Sequence, residues 1–354
     1  MEKKRVSLKD IAEKAGVSTA LVSYVLNGKT NRVGKEIADT IRKIAAELAY
    51  EPHHVAKSLR SGKTHTIGLI IADISNPFFA NIARVVEDEA KKHGYSVFIG
   101  SSDETAAKAW DLLQVMLNRQ VDGFIIVSAE KSQPNILLLK EKKIPFVLLD
   151  RHFPEIQTDF VTTNNYKASY DATVHLLKNN YQEIGLIAYD SDMYHMQERI
   201  RGYHQALLDN QVVPRKEWVR KVPFQDMESK VRTAIDALTE GSKPVRAVIF
   251  ATYGLAINGL KYVNERKIKV PDDLAIVSYG QAEVFDLYYC PISYIRQPLE
   301  QLGKTAVEML ISKLNNPEEA MKQIFMEARL IARDSSVRSM SAHESLVPEQ
   351  RVGD

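Results

Sequence analysis

The sequence predicts a small all-α head followed by an α/β body of two doubly wound lobes. Three observations predict it. The first 65 residues carry short helical patterns punctuated by cap residues and glycines. From Thr66 onward, short apolar runs alternate with amphipathic helical stretches. There are too many such runs for one sheet, so two parallel sheets, each covered on both faces, are expected.

In the head, a helix is predicted from Leu8 to Ala15, with Ser7 as N-cap, Asp10 three residues on and Gly16 as its stop. After the tight Gly16-Val17-Ser18 turn, Ser18 caps a second helix, Thr19 to Leu26, which Asn27-Gly28 ends. A third, Lys35 to Ala49, places Ile37, Ile41, Ile44, Ala45 and Leu48 on one face. A fourth short helix, Val55 to Arg60, lies between Pro52 and Ser61-Gly62. The second helix is expected to carry its inward stripe among Leu21, Val22, Val25 and Leu26 and to expose Thr19, Ala20, Ser23 and Tyr24. Two short helices joined by a three-residue turn have the geometry that seats a recognition helix in a major groove.

Charge agrees with that reading. The 354-residue chain has a net charge of +2, but residues 1–65 hold 13 Lys or Arg against 7 Asp or Glu, which leaves −4 for the remainder. A basic head of that size suits phosphate backbones, through counterion release. Cys290 is the single cysteine, which excludes an intramolecular disulfide and any multi-cysteine metal cluster. The N-terminal residues lack an apolar h-region and no apolar run is long enough to span a bilayer, so the expected location is the bacterial cytoplasm, without membrane association.

In the body, strands are predicted at Ile67–Ala72, Ser96–Gly100, Gly123–Val127, Phe146–Leu149, Phe160–Thr163, Ile184–Tyr189, Val219–Val222, Ala247–Phe250, Ala275–Val277 and Ser293–Ile295. Segments near Asp150–Asp159 and Tyr288–Ser293 are read as crossovers between lobes. A ligand in such a fold binds at the carboxyl ends of the strands. The expected partition is 1–52 for the head and 53–65 for a hinge helix and linker. The body spans 66–334, with lobe one at 66–163 plus 296–322 and lobe two at 164–292 plus 323–334. The polar tail, 335–354, is expected to be disordered and carries no leucine heptads, so a coiled-coil tetramer is not supported.

Several runs together resemble the lactose/galactose repressor family. They are Val6-Ser7-Leu8-Lys9-Asp10-Ile11-Ala12 through Gly16-Val17-Ser18, Val25-Leu26-Asn27, Tyr50-Glu51-Pro52, Ala56-Lys57-Ser58-Leu59-Arg60, Ile67-Gly68-Leu69-Ile70 and Ser75-Asn76-Pro77-Phe78-Phe79. Looser matches continue through Val121-Asp122-Gly123, Arg199 to Tyr203 and Ile295-Arg296-Gln297-Pro298, so the likeness spans about residues 6–333. The resemblance implies a homodimeric, operator-binding repressor with a body similar to periplasmic sugar-binding proteins. It implies that Thr19, Ala20 and Tyr24 face base edges, and that Ser18, Ser23 and Asn27 meet phosphates. Leu59 would be a minor-groove wedge flanked by Lys57 and Arg60. Family members usually carry threonine where this chain has Leu21 and often arginine where it has Tyr24, which implies a departure from the commonest operator half-site.

For the body, the resemblance implies an effector pocket containing Phe79, Asp150, Arg199 and Phe224. Where relatives carry acidic pairs, this chain has Thr252-Tyr253 and Ser278-Tyr279-Gly280-Gln281. Thr252, Tyr253 and Gly280 therefore mark an altered second-lobe wall. Losing carboxylates while keeping a cation points to a sugar or an acidic derivative, such as a uronate or sugar phosphate. Control by a partner protein is the alternative, as is a solute-binding or sugar-processing protein. No dinucleotide fingerprint, phosphate loop or nucleophile elbow occurs, and the nine histidines show no metal-ligand spacing. Neither catalysis, a cofactor nor a metal is expected.

Overall fold

The computed structural model describes residues 6–26, 33–50, 63–240 and 243–337. Two compact units partition the chain, Met1–Thr64 and His65–Asp354.

In the first unit, α1 (Leu8–Ala15), α2 (Thr19–Leu26) and α3 (Lys35–Glu47) pack around Ile11, Val22, Val25, Ala38, Ile41 and Ile44. Ser7 and Asp10 form a reciprocal capping box at the start of α1, and Gly16 ends it at φ +65°, a conformation costly for any residue with a Cβ. Ser18 Oγ accepts from Leu21 N at 3.2 Å. One expectation fails here: Ile37 is 45% exposed, and Ala38 takes the inward position instead. The predicted fourth helix and the Asn27-Gly28 stop lie outside the described residues.

The second unit holds two six-stranded sheets. The first is ordered β11-β5-β4-β3-β1-β2, with β1 Thr66–Ile71, β2 Ser96–Ser101, β3 Gly123–Ile126, β4 Phe146–Leu149, β5 Phe160–Thr163 and β11 Gln323–Met326, every pair parallel. Its faces are covered by α4 (Pro77–Lys92), α5 (Ala106–Asn118), α6 (Gln133–Glu141) and α12 (Leu299–Asn315). The second is ordered β12-β10-β9-β8-β6-β7, with β6 Ile184–Tyr189, β7 Val219–Val222, β8 Ala247–Phe250, β9 Ala275–Tyr279, β10 Ser293–Arg296 and β12 Arg329–Ile331. Only β12 runs antiparallel, against β10. Helices α7 (Asn165–Lys178), α8 (Tyr194–Asp209), α9 (Met227–Thr239), α10 (Tyr253–Glu265) and the short α11 (Val284–Leu287) accompany it. Central strands such as β3, β4 and β8 are buried throughout, which is why they read as unbroken apolar runs.

Several boundaries need correction. The expected crossovers at Asp150–Asp159 and Tyr288–Ser293 each stay within one lobe, linking β4 to β5 and β9 to β10. The chain passes between sheets after Thr163, after Arg296 and between Met326 and Arg329. Residues 323–326, assigned to lobe two, form β11 of the first sheet, while Arg296, assigned to lobe one, ends β10 of the second. The short QIFM and RLI runs alternate exposed and half-buried residues, too weak a pattern to announce strands.

The tail is likewise ordered further than expected. Ser335 and Ser336 are fully buried in a 3-10 turn (Asp334–Ser336). Ser335 Oγ donates to Ile276 O and accepts from Ser293 N, both at 2.7 Å, and Ser336 Oγ lies 2.7 Å from His175 Nε2. Polar composition predicted disorder, but these hydroxyls satisfy buried groups that would otherwise be unpaired.

Candidate functional site

A cleft of about 280 Å³ lies between the carboxyl ends of the two sheets. The strand order reverses at β1 in the first sheet and at β6 in the second, so loops diverge there and leave a crevice. All seven expected pocket residues line it: Phe79, Asp150, Arg199, Phe224, Thr252, Tyr253 and Gly280.

Asp150 follows β4 at φ +65°, and Arg151 N donates to Leu149 O at 2.7 Å around it. A hydrogen bond spanning one residue at positive φ is a γ-turn, a rare and strained geometry. It turns the buried carboxylate into the cleft, where Gln297 Nε2 lies 3.5 Å from Oδ1 and also donates to Thr163 Oγ1 at 3.1 Å. Burial raises the Asp150 carboxyl above its ordinary range, against the pull of Arg151 and Arg199.

Arg199 projects from α8. Its Nε donates to Asn165 Oδ1 at 2.8 Å, its Nη1 donates to Ala251 O at 2.5 Å, and its guanidinium sits 3.7 Å over the Tyr279 ring. Burial lowers its pKa, while Tyr279 and Asp150 support the charge. Tyr279 OH in turn donates to Asn165 O at 3.1 Å, so α7, α8, β8 and β9 all fix this one cation. Thr252 caps α10, accepting from Leu255 N at 3.3 Å, and Gly280 has φ +86°. Phe79 is buried, whereas Phe224 is 38% exposed and pairs with Tyr189 at 5.7 Å.

Sequence reasoning missed the residues that complete the charge pattern. Arg151, buried beside Asp150, is held by Glu104 through two bonds, Nη1 to Oε2 at 2.6 Å and Nη2 to Oε1 at 2.7 Å. Its Nη1 also approaches Ser128 O at 3.3 Å, and its Nε, 3.9 Å from Asp150 Oδ2, lacks a hydrogen-bond partner. Burial works against the charge, but Glu104 and Asp150 outweigh it and hold Arg151 protonated. Glu104 comes from a turn in which both Asp103 and Glu104 have left-handed φ, +49° and +57°. Each such residue costs on the order of 1 kcal/mol. His195, on α8, is buried with Nδ1 unpartnered, and burial together with Arg151 and Arg199 holds it neutral, its pKa well below the usual value. Tyr189 also lines the cleft, its hydroxyl pushed up to about 12 by burial.

The expected acidic ligand rested on carboxylates missing from the second lobe. The first lobe supplies Asp73, Glu104 and Asp150, three carboxyl groups against the two guanidiniums. An Arg-Asp pair adjacent in sequence was visible as a signal; the Glu104 partner, 47 positions away, was not.

In the head, Ser18, Thr19, Ala20 and Tyr24 are exposed on one side of the turn and α2, Ser23 is half-buried, and Val22 and Val25 point inward. Asn27, Lys57, Leu59 and Arg60 lie outside the described residues. Among the described residues no helix is long and apolar enough to cross a membrane, and no group of three or more His, Cys, Asp or Glu could hold a metal ion.

Comparison with known proteins agrees with both units. Residues 7–53 match the model for bacterial regulatory proteins of the lacI family, and residues 173–336 match a periplasmic binding protein-like domain. The chain is similar to the ribose operon repressor of Haemophilus influenzae, 32% identical over 330 residues that cover 93% of this chain and 98% of the relative. It is similar also to the transcriptional repressor PurR of Aliivibrio fischeri, 29% identical over 331 residues with the same coverage. Among solved structures, the Lac repressor dimer bound to operator and the anti-inducer ONPF aligns with a TM-score of 0.82 at 23% identity, covering 95% of this chain and all of that one. A LacI family regulator from Enterococcus faecium with bound ribose aligns at 0.67 and 26% identity, covering 77% of this chain and 98% of that one. A capped helix-turn-helix head, a two-lobed binding body and full-length similarity to named repressors lead to one assignment: the chain belongs to the lacI family of bacterial transcriptional regulators.

Proposed function

We propose that this chain is a homodimeric, operator-binding repressor whose hold on DNA is set by a sugar or sugar derivative in the cleft. The observation that carries this reading is the convergence of Phe79, Asp150, Arg199, Phe224, Thr252, Tyr253 and Gly280, from two separate sheets, on one cavity. A ligand touching both walls favours one lobe arrangement over another, and it shifts DNA occupancy by its differential affinity for the two. At about 280 Å³ the space lies just below the usual range of ligand pockets, ~300–1,000 Å³, which suits a ligand no larger than a monosaccharide. The names of the ribose operon repressor and of the ribose-bound regulator make a pentose the first candidate.

On the DNA side, Thr19, Ala20 and Tyr24 read base edges from α2, and Ser18, Ser23 and Asn27 bind phosphates. Leu59, between Lys57 and Arg60, wedges the minor groove. Twofold protein symmetry requires a near-palindromic operator. Support for the dimer comes from β2, an edge strand that leaves Phe98 and Ile99 each more than 40% exposed, and from Trp110 and Val115 on the neighbouring α5. An apolar edge of that kind needs a cover.

Selection of bound oligonucleotides from a random pool by the full chain, repeated with and without D-ribose and cell metabolites, tests the reading. A palindromic consensus whose enrichment changes with a metabolite is the expected result. Binding indifferent to sequence refutes the repressor, and binding indifferent to every metabolite refutes control through the cleft.

A further inference from the structure

Arg151 and Glu104 present a buried guanidinium whose strongest hydrogen-bonding edge is spent inside the protein. Bidentate pairing of this kind is how arginine recognises the carboxylate or phosphate of a ligand. Here a side chain of the same lobe already occupies that edge, at 2.6 and 2.7 Å. The other cation, Arg199, has Nε and Nη1 committed to Asn165 and Ala251, and Asp150 faces both guanidiniums. Asp73 adds a further carboxyl group to the wall. An anion entering this cleft must displace Glu104 or lie beside it, and either course is penalised because both side chains are largely buried.

The backbone argues that the arrangement is built for a purpose. Glu104 stands on a turn with two consecutive non-glycine residues at left-handed φ, anchored by Glu104 N to Ala72 O at 2.9 Å and Ser102 N to Ile71 O at 2.9 Å. Strain of this sort persists where the surrounding structure fixes it, and it clusters at binding sites. What lines the cleft suits uncharged partners: Asp150 accepts, and the rings of Phe79, Tyr189 and Tyr253 form part of its wall, as a sugar requires.

We propose that Glu104 is a specificity-determining residue: by holding Arg151 it closes the cleft to anionic ligands and reserves it for uncharged, hydroxyl-bearing ones. This rests on the reading of the cleft as a small-molecule site, and it replaces the acidic ligand expected from sequence.

The test compares the full-length wild type with Glu104→Gln and Glu104→Gln/Arg151→Gln, the DNA-binding head being common to all three. Isothermal calorimetry and thermal shift are read with D-ribose, D-ribose 5-phosphate and inorganic phosphate, and circular dichroism confirms folding of each variant. The expected result is no anion binding above the double variant's background by wild type, and a gain on the order of tenfold in affinity for phosphate and D-ribose 5-phosphate in Glu104→Gln. The double variant should lose that gain. Wild type that binds D-ribose 5-phosphate more tightly than D-ribose overturns the proposal, as does a folded Glu104→Gln with no gain. Operator binding, measured in parallel, separates the two readings. An anion gain without any effect of bound ligand on operator affinity leaves Glu104 as the filter and removes the regulatory role of the cleft.

Discussion

His152 lies flat on Phe160, with ring centroids 4.0 Å apart and planes 8° from parallel, while Tyr194 meets it edge-on from the other lobe at 4.9 Å. Burial keeps this imidazole neutral and lowers its pKa to about 4, against the smaller opposing pull of Glu155 and Glu198. The unfolded chain therefore binds a proton near pH 6.5 that the folded one refuses until about pH 4. Stability from this group is complete above pH 6.5 and is lost as pH falls towards 4. Denaturant unfolding of wild type and His152→Phe at pH 7 and pH 4.5 measures it. The variant keeps the stack, so the expected outcome is an acid-induced loss smaller than that of wild type by about 2 kcal/mol.

Arg151 and Glu104 are a buried ion pair, and removing one partner strands the other. Arg151→Met should destabilise the body by about 3 kcal/mol, because Glu104 and Asp150 are then left largely buried without their guanidinium. Scanning calorimetry resolves this: the body transition should move while the head transition does not.

Ser335 bridges Ile276 O and Ser293 N with one hydroxyl. Ser335→Ala removes a buried acceptor and donor together, and should cost about 2 kcal/mol in chemical denaturation. An unchanged midpoint would mean that water replaces the hydroxyl.

Tyr24 is exposed on α2 beside Thr19 and Ala20. Tyr24→Arg should redirect base preference toward guanine at one position of each half-site, worth about 1–3 kcal/mol of discrimination, without shifting the melting of the head. Oligonucleotide selection with the variant and wild type checks this.

Much of the fold was legible because each signal was local. Ser7, Asp10 and Gly16 bracket α1 as their chemistry requires, and strands such as Phe146–Leu149 are apolar from end to end because helices cover both faces. The cleft residues could be named because a family pattern tied them to positions. What stayed hidden depends on partners far apart in sequence. β11 and β12 have weak alternation and exist because β5 and β10 offer edges to pair with. Ser335 and Ser336 look like tail until the carbonyl of Ile276 and the ring of His175 come within reach. Glu104 reads as a surface glutamate before a helix until β2 and β4 lie in one sheet.

The three passages of the chain between sheets also bear on how the molecule is made. Helix α12 and β11, which complete the first lobe, are encoded after nearly the whole of the second. Leu302, Ala306, Val307 and Leu310 fill the same cluster as Ile67 and Val86. A nascent chain leaving the ribosome therefore exposes that half-built surface until α12 and β11 are delivered. Release of products truncated before Met326 should yield aggregates or protease substrates in place of a shorter working regulator.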